Sequence, residues 1–146
     1  MISFNYENDF ELSNEEQFSN WISRVIASEE KREGEISYIF CDDDYLLNLN
    51  EQYLNHDTLT DIISFDYSMG DEIHGDIFIS TERVKDNAND FKVFFEEELK
   101  RVMVHGVLHY CGYKDKTEED EALMRSKEDE KIKMFHVEHL NKKRAI

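Results

Sequence analysis

Residues 2–6 (ISFNY) alternate apolar and polar positions and predict a short half-buried strand. Ser13 and Glu16 have the spacing of a capping box, so a helix is expected over about 14–29. Its apolar residues Phe18, Trp21, Ile22, Val25 and Ile26 recur at helical spacing and mark a core-facing stripe. Gly34 punctuates, and residues 35–41 (EISYIFC) read as a second strand. Asp42 to Asp44 can cap a helix through about Tyr53, and a polar loop follows from Asn55 to Thr60. Residues 61–67 and 76–80 read as strands that a turn over 68–75 joins into a hairpin. Thr81 is expected to cap a short helix to about Asn89. A long helix is expected from about Phe91 to Cys111, with Gly112 as its stop. Thr117 can cap a last helix from Glu118 to about Leu140. The order β-α-β-α-β-β-α-α-α predicts an α+β single domain over 1–146. It would hold a small mixed sheet of about four strands packed against helices.

Composition narrows the class. The chain has 146 residues, 40% apolar and 12% aromatic, which is too apolar for a disordered acidic chain. Proline is absent and there are five glycines, so internal linkers are not expected. No run approaches the roughly 18 apolar residues of a membrane span, and the N-terminus (MISFNYENDF) lacks the pattern of a signal peptide. Two cysteines, Cys41 and Cys111, do not make a disulfide framework, so a cytoplasmic protein with reduced thiols is expected. The formal net charge is −17, which speaks against general affinity for nucleic acid. It is unevenly spread: residues 1–100 hold 25 acids and 7 bases, whereas 101–146 hold 9 acids and 10 bases. Arg101, Lys114, Lys116, Lys131, Lys133 and Lys142 to Arg144 are therefore candidates for a local positive face.

The segment HGVLHYCGYKDK, residues 105–116, carries the chemistry. His105 and His109, four apart on a helix, present two imidazoles on one face, within reach of one small cation. Past the Gly112 stop, a turn can fold the Asp115 carboxylate back to the pair. Two histidines and one carboxylate with an open fourth position is a usual layout for catalytic zinc. The metal site is thus expected at the end of the long central helix. Gly106 stands where the peptidase pattern H-E-x-x-H has its glutamate, which argues against that chemistry. Helical spacing rotates Cys111 away from the histidines, and it reads as a small core residue. His136 and His139 read as helix-surface residues. Asp61 and Asp76, at the starts of strands, are within reach of a site or are turn caps. Lys114 and Lys116 flank Asp115 and are candidates for phosphate.

These residues resemble a known family. His105-Gly106-Val107-Leu108-His109, followed by Gly112-Tyr113 and a ligand position at 115, is similar to the H-G-x-L-H-x-x-G-Y-D-H signature of the YbeY endoribonucleases. Leu49-Asn50, Tyr53, Asp57 and Thr60 to Phe65 resemble the family's L-N-x-x-Y-R…T-D-V-L-S-F stretch, and Gly75-Asp76-Ile77 its G-D-I segment. The resemblance implies a cytoplasmic, single-strand-specific endoribonuclease with one zinc ion, acting in 16S rRNA 3′-end maturation and ribosome quality control. It implies ribosomal RNA and the ribosome or its small subunit as partners, with ribosomal or GTPase assembly proteins beside them and no membrane. By the same resemblance His105, His109 and Asp115 are the metal ligands and catalytic residues. Asp115 stands where the family has a third histidine, Lys114 where it has an aspartate, and Leu54 where it has an arginine. A carboxylate in that place makes a harder, more anionic donor set. Competing readings are a zinc-stabilised ribosome-associated factor without nuclease activity, or another metal-dependent hydrolase such as a peptidase.

Overall fold

Every strand expected from the alternation forms, and the pairing order is what the sequence leaves open. In the computed structural model the backbone is described for residues 1–54 and 59–144, and side chains for 1–53 and 59–136. The side chains of Leu54, His139 and Lys142 to Arg144, and residue Asp57, singled out above, lie outside these. The described elements run β1 (Ile2–Tyr6), α1 (Glu15–Ser28), β2 (Arg32–Cys41), α2 (Asp43–Leu54), β3 (Ile62–Asp66), β4 (Glu72–Ser80), α3 (Thr81–Phe91), α4 (Phe95–Tyr110) and α5 (Glu118–Arg144). The sheet order is β1-β2-β4-β3. β1 and β4 lie parallel to β2, and β3 closes antiparallel on β4 with Ile62 opposite Ile79, as the hairpin reading requires. The result is the expected α+β architecture with a mixed four-stranded sheet.

The core lies mainly on one face of that sheet. Ile36, Tyr38 and Phe40 of β2 and Ile73, Ile77 and Ile79 of β4 point into it with essentially no exposure. They meet the apolar stripe of α1 and Val102, Met103 and Val107 of α4. α5 packs outside α4 and α1: the buried Trp21 ring sits against Phe18 and Phe135, and its Nε1–H donates to the Lys131 carbonyl at 2.7 Å. Burying such a side chain contributes about 1.5–3 kcal/mol. A smaller cluster of Cys41, Leu46 and Ile63 joins α2 to the opposite face.

Four expectations change in detail. The Ser13–Glu16 box does not form. α1 starts at Glu15 with Asn14 before it and no side-chain cap, and Glu15 instead takes the Tyr6 hydroxyl at 2.5 Å. Ser80, not Thr81, caps α3, its Oγ accepting the Arg83 amide at 3.2 Å. β4 begins at Glu72, so the turn is tighter than expected, with Gly70 at φ 60°. The single long helix from Phe91 is two helices. α3 ends at Phe91, Lys92 turns left-handed at φ 58°, and Phe94 is extended before α4 begins. The amides of Lys92 and Val93 satisfy the carbonyls of Asn89 and Ala88, which is how a helix end is closed rather than continued.

Candidate metal centre and its cleft

Gly112 does what its place in the sequence suggests. At φ 105° it ends α4, its amide donating to His109 O at 3.0 Å while the Tyr113 amide donates to Leu108 O at 3.1 Å. This Schellman-type pair reverses the chain. Two consequences follow for the histidines. The Tyr113 carbonyl comes to 2.9 Å from His109 Nδ1, and Asp115 returns to the helix end.

His109 Nε2 lies 2.9 Å from His105 Nε2 and 3.1 Å from Asp115 Oδ2, and His105 Nε2 lies 3.2 Å from the same oxygen. The tautomers follow from the far sides of the rings. A carbonyl only accepts, so His109 Nδ1 carries the hydrogen and donates to Tyr113 O. His105 Nδ1 donates to Glu128 Oε2 at 2.7 Å. Neutral rings held so leave both Nε2 lone pairs facing a carboxylate. Three acceptors then converge with no hydrogen among them, an arrangement that a metal ion or an added proton resolves. Tetrahedral zinc with ligands at about 2.0–2.1 Å needs donor–donor edges of about 3.3 Å. The triangle of 2.9, 3.1 and 3.2 Å is close to that, so the donor set fits such an ion. Among the described residues this is the group of histidine, cysteine and carboxylate donors that can hold a metal.

The carboxylates around His105 favour positive charge at this place. Burial works against a charged His105, but the bond to Glu128 and the charges of Glu128, Asp115 and Asp61 outweigh it and raise its pKa. Glu128 is itself buried and fixed by Arg101, whose Nη1 donates to it at 2.9 Å while Nη2 reaches Asp129 at 2.7 Å. Asp61 stands on the wall of the same cleft. Burial pushes its carboxyl above the usual range, and His105 opposes that. The cleft holds about 600 Å³, and Ile62, Ser64, Phe91, Arg101 and Arg125 are among its other lining residues.

Known proteins match this chain closely. Residues 3–136 fit the family model described as Endoribonuclease YbeY. The chain belongs to the YbeY family. A protein named Endoribonuclease YbeY from Flavobacterium psychrophilum is 76% identical over 137 residues, covering 94% of this chain and 98% of that protein. One of the same name from Flavobacterium johnsoniae is 72% identical over 138 residues, covering 94% and 99%. A solution structure of a Thermotoga maritima protein superposes with a TM-score of 0.70 at 24% identity, covering 97% of this chain and 93% of that one, which shows the fold.

The family's short motifs have physical roles in this fold. A Cβ at Gly106 would lie 3.1 Å from the Cδ1 atoms of Ile62 and Ile77, so glycine is what lets α4 lie close on β3 and β4. The missing peptidase glutamate thus has a packing reason, since position 106 faces the sheet. A Cβ at Gly75 would collide with the Tyr110 hydroxyl, which donates to the carbonyls of Phe65 at 2.9 Å and Asp76 at 3.2 Å. Asp76 does not line the cleft, so of the two strand-start aspartates Asp61 is the one that reaches it. His74 is structural: it accepts the Glu35 amide at 3.0 Å and donates to Glu72 at 2.6 Å over the bulge at Gly34.

Sequence reasoning missed Glu128, Arg101 as its anchor, and the Tyr113 carbonyl. Arg101 precedes His105 by one helical turn, a readable signal, but its partner lies on another helix. Among the described residues the expected positive face does not assemble in full. Arg101 is bound to two carboxylates, and Lys131 is buried against Glu29 at 2.8 Å. Lys114 and Lys116 remain exposed beside Asp115. Cys111 is half-buried against the core, and burial pushes its thiol up to about 11, well away from a reactive thiolate. His136 is exposed, 3.6 Å from Glu97.

Proposed function

We propose that this protein is a metal-dependent, single-strand-specific endoribonuclease of the bacterial cytoplasm. It holds one zinc ion through His105, His109 and Asp115 and acts in 16S rRNA 3′-end maturation on the ribosome or its small subunit. The convergence of two imidazole lone pairs and a carboxylate within 3.2 Å of one another carries the reading. Membership in a family named for endoribonuclease activity supplies the RNA substrate. Ribosomal or GTPase assembly proteins fit as partners because a chain of net charge −17 needs help to hold RNA.

When bound, zinc supplies Lewis acidity toward a phosphoryl oxygen and lowers the pKa of a coordinated water to about 7. The chain's own residues do the rest. Glu128 and the Tyr113 carbonyl fix the tautomers of His105 and His109 so that both Nε2 lone pairs would face the metal. Arg101 keeps Glu128 in place from behind. Asp61, on the cleft wall, would accept a proton from the attacking hydroxyl. No helix among the described residues is long and apolar enough to cross a membrane.

The decisive experiment replaces His109 with alanine. The variant should lose stoichiometric zinc and the cleavage of single-stranded ribosomal RNA together. A zinc-free variant that still cuts RNA at the wild-type rate would refute the assignment.

A further inference from the structure

We infer that the cleft continues from the metal centre into a nucleotide subsite, where the Phe91 ring stacks on a base of single-stranded RNA and the Arg125 guanidinium takes a neighbouring phosphate. The inference rests on the RNA-cleaving reading above and says how the substrate is gripped.

Phe91 is 60% exposed, although it lies on the wall of the cleft that holds His105, His109 and Asp115. Its ring stacks on no described aromatic side chain. It is also not on a loose loop. Phe91 closes α3, and the left-handed Lys92 and the two backbone bonds to Asn89 and Ala88 fix where it sits. An exposed aromatic on a fixed backbone beside a phosphoryl-transfer centre suits base stacking, which tolerates any sequence because every base has a π-face.

Arg125 reaches the same cleft from α5. It makes no hydrogen bond or ion pair with a described residue. The neighbouring arginines differ: Arg101 is committed to Glu128 and Asp129, and Arg83 to Asp43 and Asp86. The Arg125 charge acts on Glu98 of the same cleft, but no hydrogen bond or ion pair among the described residues holds it, so the guanidinium is free to take a phosphate. Phe91 and Arg125 also line a second hollow of about 230 Å³, with Val93, Glu97, Glu98 and Arg101. They therefore stand between the metal centre and further space, as a track for a strand requires. A base held in a duplex is covered on both faces by its neighbours and cannot meet Phe91. The subsite thus gives a structural cause for single-strand selectivity.

The test uses the full-length, zinc-loaded protein. The chain's single tryptophan, Trp21, is fully buried, so Phe91→Trp adds a solvent-facing reporter over a silent background. Its emission should be quenched within the first second of mixing with a short single-stranded RNA, and not by the same strand annealed to its complement. Phe91→Ala should raise KM for RNA about 5–100-fold with kcat and zinc content near wild type, and Phe91→Tyr should restore KM. Arg125→Ala should weaken binding and reduce the log K versus log salt slope by about 0.7. Equal quenching by duplex, or a flat Phe91→Trp signal with unchanged KM in Phe91→Ala, would overturn the subsite. The flat result would leave the exposed Phe91, Val93 and Phe94 as a protein-docking patch. If wild type cleaves while the Phe91 readouts stay flat, the subsite fails and the nuclease reading stands. If Phe91→Trp is quenched by single strands while wild type never cleaves, the reverse holds.

Discussion

Glu128 Oε2 lies 2.7 Å from His105 Nδ1, so a residue on the last helix decides which nitrogen of a metal-site histidine faces the cleft. Partners of this kind orient ligands and typically carry 10–100-fold in metal affinity. Glu128→Ala should lower zinc affinity by about that factor, read by competition with a chromophoric chelator. Glu128→Gln, which keeps an accepting oxygen, should recover most of it.

Removing the metal should destabilise the fold, because three acceptors would then face one another without a cation. At a free ion concentration 100 times Kd the bound metal contributes about 2.7 kcal/mol. Chelation should lower Tm in wild type and leave it unchanged in Asp115→Ala, as scanning calorimetry would show.

Gly106→Ala should cost about 1–3 kcal/mol in denaturant titrations, because Ile62 and Ile77 must yield to the added methyl. Gly106→Glu should cost more and confer no peptidase activity, since the side chain would be driven into the sheet.

Acid should weaken the protein partly through Glu29. Burial alone would raise its pKa, but the hydrogen bonds from Lys131 and Tyr113 outweigh that and hold it below the ordinary value. A carboxyl depressed on folding stabilises above its unfolded pKa, about 4.3, and that stability is lost as pH falls through the folded value. Glu29→Gln should therefore flatten the fall of unfolding free energy below about pH 5. The same substitution bears on the site. Tyr113 donates its hydroxyl to Glu29 at 2.6 Å while its carbonyl holds His109.

Lys92 adopts a left-handed conformation that costs a non-glycine residue about 1–2 kcal/mol. Lys92→Gly should raise stability by up to about 1 kcal/mol in equilibrium unfolding. A loss would mean that the α3–α4 junction depends on the lysine side chain.

The sequence was most legible where chemistry is local. The strand alternation, the stripe of α1, the Gly112 stop and the His105–His109–Asp115 constellation all depend on neighbours a few residues away. The break at Lys92 carries no glycine or proline to announce it, so helical spacing ran on from Phe91 to Cys111. Ser80 and Thr81 are both good caps, and only the register of β4 decides between them. Glu128 and Arg125 are charged residues on a helix with a charged sequence. They became distinct only when α5 packed beside α4 and turned Glu128 to a buried bond and Arg125 to the cleft. The expected positive face failed in part, because Arg101 and Lys131 are neutralised by partners distant in sequence.

The donor set lies within residues 105–115, on one helix end and the turn that closes it. Bringing such groups together closes only a short loop, so the entropy cost is small compared with that of pairing β1 with β2 or β4 with β2. The three donors can therefore meet without α5, which adds Glu128 behind His105. The site is thus local in its donors and long-range only in the bond that orients one of them.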